Sequence, residues 1–334
     1  MEQLPVLNLS DWHGDGRSRQ AFISKLADAA RKIGFFYLTG HGIELARQQQ
    51  ILQLTKDFFA LPMPEKLAVE MTNSPHFRGY TRLQGELTLG RPDLREQFDI
   101  MKEEAIHMPS HDLPIWCQLQ GPNQWPQNLP QMKSILLRWQ QDLAAISVSL
   151  LKALAVALEQ PETAFDATIG NSPYQHMKLI RYPNSKRHTS AQGVGAHKDP
   201  GYLTLVLQDE QSGLEVQTDN GWLSVPPVAG AFVVNIGELL ELASNGYLKA
   251  TYHRVTSPQA GVDRYSCAFF MAAQLNATVP LLPLPEYLAR QAQGPASDPL
   301  NPLFNQVGQN VLKGRLRSHP DVAKAHYASF ADAI

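Results

Sequence analysis

From Tyr174 to Met271 the chain is written in short alternating segments separated by turn residues, which restricts it to folds where small strands close on one another. Tyr202 to Leu207 is rich in strand-forming residues. Leu214 to Gln217 and Trp222 to Val225 flank Asp219-Asn220-Gly221, a tripeptide suited to a hairpin turn. Ala231 to Ile236, His253 to Thr256 and Tyr265 to Met271 add further strands, and one short helix, Glu238 to Ser244, is stopped by Asn245-Gly246. Strands this short and this closely spaced predict a sandwich or barrel.

Ahead of them the chain reads mainly as helix. Ser18 to Ile33 repeats apolar residues at helical spacing and Gly34 follows as a cap; Phe35 to Leu38 is a strand. A second helix runs through Ile51 and Phe59 to Leu61-Pro62, and a third opens at Pro64. The longest helix is expected over Gln131 to Glu159. Its stripe of Leu136, Trp139, Leu143, Ile146, Leu150, Leu154 and Leu158 lacks the flanking charges of a coiled coil, so it is expected to back a sheet. After Pro280 come a Pro/Gly-rich loop, Gln291 to Pro302, and a helical tail opened by His319-Pro320-Asp321.

With 334 residues, 43% of them hydrophobic, the chain can bury a large core. A net charge of −2 supplies no basic field for nucleic acid or an anionic membrane, so a small-molecule substrate is the expectation and no protein partner is implied. MEQLPVLNLSDW is not a secretory leader, no run is long and apolar enough to span a bilayer, and a soluble cytoplasmic protein is expected. Cys117 and Cys267 form no disulfide framework and read as packed thiols.

His197 and Asp199 are two residues apart, so on a strand both would project from one face, about 7 Å apart at their α-carbons. His253 opens a later strand of the same region. Two imidazoles and a carboxylate on one side of an ion leave positions open, the arrangement of iron(II) enzymes that take a bidentate cosubstrate and O₂. Eleven residues beyond His253, Arg264 and Ser266 repeat the two-residue spacing, a guanidinium and a hydroxyl facing one way. That pair suits the far carboxylate of an oxoacid such as 2-oxoglutarate, and Tyr182 can add a phenol. Taken singly, each has a bland reading: a chance His-x-Asp pair, a turn at Asp199-Pro200-Gly201, an exposed arginine. All must hold at once for the site to vanish. A zinc hydrolase accounts for the metal triad but not for Arg264 and Ser266.

These residues resemble the 2-oxoglutarate and iron(II)-dependent dioxygenases of the isopenicillin N synthase type. The resemblance runs through His197-Lys198-Asp199, Leu203-Thr204-Leu205, Gly213-Leu214-Glu215-Val216, Trp222, Asn235-Ile236-Gly237, Asn245-Gly246, His253-Arg254-Val255 and Arg264-Tyr265-Ser266. Gly34-Phe35-Phe36-Tyr37-Leu38, His41-Gly42-Ile43 and Gly121-Pro122-Asn123-Gln124-Trp125-Pro126 extend it to nearly the whole chain. It implies a mainly β protein with a helical extension: a double-stranded β-helix, or jelly roll, backed by the long helix. Metal ligands fall on His197, Asp199 and His253, which are then the catalytic residues, and the cosubstrate clamp on Arg264, Ser266 and Tyr182. Two positions depart from the pattern: Lys198 replaces a small hydroxyl residue, and Ile180 replaces an asparagine.

The expected segments are an N-terminal extension (1–125), the backing helix (126–170), the Fe(II)/2-oxoglutarate jelly roll (171–280), and a C-terminal loop and helical lid (281–334). The implied activity couples oxidative decarboxylation of 2-oxoglutarate to oxidation of a small molecule, with ascorbate a candidate reductant. The alternatives are an oxoacid-independent oxidase and a non-catalytic sensor. Gly85-Glu86-Leu87-Thr88 is similar to a segment of ethylene-forming bacterial relatives, so Glu86 and Thr88 are candidate substrate contacts; the competing reading is two solvated loop residues. Phe269 and Phe270 are either cavity lining or core, with Phe270 the candidate substrate contact. Within the tail from Leu312 to Phe330, Arg315 or Arg317 is expected to meet an acidic substrate group.

Overall fold

The structure, a computed structural model, describes residues 3–106, 113–171, 173–184, 192–258, 261–296 and 301–328. The chain opens with β1 (Val6–Asn8), α1 (Gly16–Lys32) and β2 (Phe35–Thr39), followed by α2 (Leu45–Ala60) and α3 (Met63–Ala68). Next come β3 (Gly79–Thr81), the small hairpin β4 (Leu87–Thr88) and β5 (Arg91–Pro92), then β6 (Glu96–Met101) and the long α4 (Gln131–Ala157). A short α5 (Asp166–Ile169) leads into β7 (Tyr174–Tyr182), β8 (Gln192–His197), β9 (Leu203–Gln208), β10 (Leu214–Thr218), β11 (Gly221–Ser224) and β12 (Phe232–Ile236). After α6 (Glu238–Ala243) come β13 (His253–Thr256), β14 (Arg264–Ala272) and three helices, α7 (Glu286–Ala289), α8 (Val307–Ser318) and α9 (Pro320–His326).

Two sheets make the core. The larger runs β1-β2-β12-β9-β14-β7-β6-β3 and the smaller β11-β10-β13-β8. Phe35, Ile180, Tyr182 and Ala268 of the large sheet pack with Val194, Leu214, Val216 and Val255 of the small one, forming the filling of a jelly roll. The opposite face of the large sheet carries Met177, Leu179, Leu205 and Phe269, and on it lies α4. Every residue of the stripe from Leu136 to Leu158 is buried. The sheet covers that stripe, each leucine side chain contributing roughly 1.5–3 kcal/mol on burial, so it takes no part in a coiled coil. Among the described residues no helix is long and apolar enough to cross a membrane.

The helix ends follow from local chemistry. Asp15 accepts a hydrogen bond from the Ser18 amide at 2.8 Å and caps α1 two residues earlier than periodicity suggests. At the other end Gly34 has φ +72°, and a β-carbon there would stand 2.1 Å from the Lys249 carbonyl oxygen, so only glycine fits. Pro64 lies in the first turn of α3. The sequence pattern missed β6, which joins β7 in antiparallel register, and α8, whose first five residues precede the expected tail. Residues 297–300 of the expected Pro/Gly loop and 329–334 beyond α9, with Phe330, lie outside the described residues.

Register across the interior face of the large sheet positions the site. Gln97 pairs with Ile180 and Ile180 with Ser266; the next rows are Asp99, Lys178, Ala268 and Met101, His176, Phe270. Directly opposed residues of an antiparallel pair share a face. One floor therefore runs from Arg264 and Tyr182 at one end to His176 and Phe270 at the other.

Candidate active site

His197 ends β8 and His253 begins β13, and the two are register partners. Asp199 is not on the strand, as the two-residue spacing had it: β8 stops at His197, and Asp199 lies in the turn that follows. The turn still brings it in. Its Oδ1 is 3.5 Å from His197 Nε2 and 3.6 Å from His253 Nε2, and one ligand atom from each residue falls within a 4.8 Å group.

The remaining polar atom of each residue is held by the fold. The Nδ1 of His197 donates to the Gly195 carbonyl (2.8 Å) and that of His253 to the Thr251 carbonyl (3.2 Å), which leaves both Nε2 atoms facing Asp199. Asp199 Oδ2 accepts from Thr204 Oγ1 (2.5 Å) and Asn235 Nδ2 (2.8 Å), leaving Oδ1 toward the imidazoles. Burial pushes His253 down to about 4 despite Asp199, keeping it neutral. Burial opposes ionisation of Asp199, yet the imidazoles and Thr204 hold it below the usual carboxylate range. Two imidazoles and a carboxylate suit a divalent cation.

Arg264 opens β14, directly opposite Tyr182, with its guanidinium carbon 4.9 Å from that ring's centre. It is 1% exposed. Its Nη2 donates to Gln208 Oε1 (2.8 Å) and its Nε to the Gln211 carbonyl (3.2 Å), while Nη1 has no partner among the described residues. Buried cations are normally met by an anion, so this side chain fits a ligand carboxylate. Ser266, equally buried, is on the same face two residues on.

A cavity of about 300 Å³ opens beside His197 and Asp199. Its walls come from the β4–β5 hairpin, β7, β14, the N-terminus of α6 and α8. Glu86, Thr88 and Phe270 all line it. Glu86 is no solvated loop residue: it is 7% exposed, accepts from Lys178 at 2.9 and 3.0 Å, and meets Arg95 at 2.5 Å. Thr88 donates to Asp93 Oδ2 at 2.7 Å. Phe270 stacks on His176 with ring centres 5.1 Å apart, whereas Phe269, facing the other way, belongs to the core beneath α4.

The sequence reading missed the charges around Glu86. Asp99 receives Lys178 (3.3 Å), Arg315 (3.2 Å) and His176 Nε2 (2.7 Å). Arg315 is thus already committed within the protein, not a free cation for an acidic substrate, and Arg317 donates to Asn301. Burial, then Arg315, pushes His176 down to about 3, so it is neutral here. His176, Lys178, Ile180 and Tyr182 stand two apart on β7, a spacing that marked one shared face but not whether it looked inward. Glu238, at the start of α6, lines the cavity, and its side chain forms no hydrogen bond or ion pair with the described residues; burial raises its pKa to about 7 against the pull of Lys198 and Lys313.

Two imidazoles and a carboxylate that could hold one metal ion, a buried arginine with an unmet N–H deeper in the same jelly roll and an adjoining cavity are the arrangement of a mononuclear non-haem oxygenase. Residues 4–128 match the family described as non-haem dioxygenase in morphine synthesis N-terminal, and 173–273 the 2OG-Fe(II) oxygenase superfamily. A 2-oxoglutarate-dependent dioxygenase of Dothideomycetidae sp. is 32% identical over 97% of this chain and 91% of its own length. A homoarginine-6-hydroxylase of Arabidopsis thaliana is 36% identical over 77% of this chain and 78% of its own. Among solved structures, a 2OG-Fe(II) oxygenase family protein from Caulobacter crescentus superposes with TM-score 0.75 at 26% identity, covering 94% of this chain and 99% of that one. A full-length Neurospora crassa protein in complex with alpha-KG and 5-formyluracil does so with TM-score 0.75 at 25% identity, covering 94% and 96%. The chain belongs to the 2-oxoglutarate-dependent Fe(II) dioxygenases, and its cofactors are Fe(II) and 2-oxoglutarate.

Proposed function

We propose that His197, Asp199 and His253 hold the Fe(II), that Arg264, Ser266 and Tyr182 hold the far carboxylate of 2-oxoglutarate, and that the substrate is an amino-acid-sized molecule bearing a positive charge. Once bound, metal and oxoacid supply the oxidising power, with succinate and CO₂ as by-products. The chain's own residues do the rest. The backbone carbonyls of Gly195 and Thr251 hold the imidazole tautomers, and Thr204 with Asn235 aims the Asp199 oxygen. The segment 281–334 acts as a lid excluding water, since α8 already forms one cavity wall. Residues 1–125 and 126–170 serve the jelly roll of 171–280 as extension and backing. Cytoplasmic work on free small molecules, without a protein partner, is the proposed setting, in keeping with the unpaired thiols of Cys117 and Cys267.

The observation that carries the substrate class is Glu238, a buried cavity side chain with no hydrogen bond or ion pair to the described residues, where Lys178, Arg95, Arg315 and Lys198 are each matched to other carboxylates. A cation on the substrate would meet Glu238. The homoarginine-6-hydroxylase relatives support the same class. Protein reconstituted anaerobically with Fe(II) is given 2-oxoglutarate, O₂ and a panel of cationic, neutral and acidic amino acids, and succinate is measured. Cationic members should stimulate release most, and Glu238→Gln should lower their kcat/KM at least tenfold. Equal stimulation by neutral or acidic members would sink the substrate class while leaving the metal and clamp assignments standing.

A further inference from the structure

Gln97 lies in the middle of β6 and is 0% exposed. It pairs with Ile180, which pairs with Ser266, so the three form one row across the floor of the jelly roll. Two facts fix the face. Ile180 packs in the interior cluster with Val194 and Val255, and Asp99, two residues beyond Gln97, reaches Lys178 at 3.3 Å. Yet neither the amide nitrogen nor the amide oxygen of Gln97 has a hydrogen-bond partner among the described residues. Arg95 Nε, Asp99 Oδ2 and Arg264 Nη1, around it on the same floor, are also unpaired.

Buried polar side chains are nearly always paired, because a donor or acceptor taken out of water forfeits the bonds it made there. An amide with both functions unmet, beside an apolar Ile180 that can offer nothing, is built to meet something that enters. The cavity for the substrate is lined by the neighbouring rows, Lys178 with His176 and Phe270, and not by Gln97, Ile180, Ser266 or Arg264. Gln97 thus shares the deeper level of the carboxylate clamp. Its α-carbon lies two strands from that of Ser266, roughly 10 Å, a gap that a glutamine side chain and a five-carbon diacid bridge together.

Building on the clamp reading above, we infer that Gln97 is a 2-oxoglutarate-binding residue: its amide donates to the oxoacid at the level of Ser266, from the far side of β7. The cradle then draws on the two strands that flank β7, β14 supplying the cation and hydroxyl, β6 the neutral amide.

The test is calorimetric titration of 2-oxoglutarate into protein loaded with Mn(II), a redox-silent stand-in, with melting of the metal-free protein recorded in parallel. Gln97→Met keeps length and removes the amide; Gln97→Glu puts a negative charge in its place. Gln97→Met should raise Kd about tenfold or more, Gln97→Glu further still, and the metal-free melting temperature of Gln97→Met should stay level or rise, since no internal hydrogen bond is lost. Arg264→Ala is the control. If it weakens 2-oxoglutarate while both Gln97 variants bind like the parent, the inference is overturned and the clamp survives. If Arg264→Ala also binds like the parent, the clamp reading has failed and takes the inference with it. A melting temperature several degrees lower in metal-free Gln97→Met would assign the amide to the scaffold and likewise overturn the inference.

Discussion

The two carboxylate oxygens of Asp199 do different jobs: Oδ1 faces the imidazoles, and Oδ2 is held by Thr204 and Asn235. Groups that orient a metal ligand typically govern a 10–100-fold range of metal affinity. Thr204→Val should therefore lower Fe(II) affinity about tenfold, read by competition with a chelator, with little loss of folding stability; Asp199→Ala should abolish stoichiometric binding. Wild-type affinity in Thr204→Val would mean that Asn235 alone suffices. The triad was legible because a strand-like two-residue spacing and a later histidine are chemically rare together, even though Asp199 reaches its place through a turn. Gln97 and Glu238 were not legible. An amide or a carboxylate in an amphipathic segment looks the same in sequence whether it faces solvent or a ligand, and only burial without a partner separates the cases.

At the level of elements, β6, β7 and α8 meet around Asp99. Alternating polar residues on a strand ordinarily mark its solvent face, and here they mark the interior, because Arg95, Lys178 and Arg315 are matched there by Glu86, Asp93 and Asp99. That inversion is why the network escaped the sequence pattern, while α4, with an uninterrupted apolar stripe, begins at Gln131 as expected and ends two residues short of Glu159. Removing one partner of a buried ion pair typically costs about 3–5 kcal/mol, through the charge left behind. Arg315→Met should approach that cost, seen as a lower urea midpoint, and should raise KM for the substrate by loosening α8. A midpoint within error of the parent would show that Lys178 and His176 satisfy Asp99 unaided.

For the molecule as a whole, His176 couples stability to pH. Its pKa is about 3 in the fold, through burial and then Arg315, against about 6.5 in an unfolded chain. The unfolded state takes up the proton first as pH falls. The stability this residue contributes is complete above about pH 6.5 and is lost progressively toward pH 3. Urea midpoints measured across that window should decline more steeply for the parent than for His176→Asn; parallel slopes would refute the linkage. Bound ligands act in the opposite direction: at a hundredfold excess over Kd, 2-oxoglutarate should add about 2.7 kcal/mol to the metal-loaded protein, visible as a rise in melting temperature.

The pairing of β2 with β12 also sets a timetable for synthesis. Phe36 meets Val234, roughly 200 residues further along the chain, and at about 5–20 residues per second a ribosome needs roughly 10–40 s to deliver that partner. Through that interval Phe35-Phe36-Tyr37-Leu38 has only β1, a parallel neighbour of three residues, to cover one edge. The nascent chain must carry an aromatic strand with an open edge for tens of seconds, a natural client for a chaperone. A truncation ending before β12 should leave that edge permanently open and accumulate as aggregate, however well α1, α2 and α4 form.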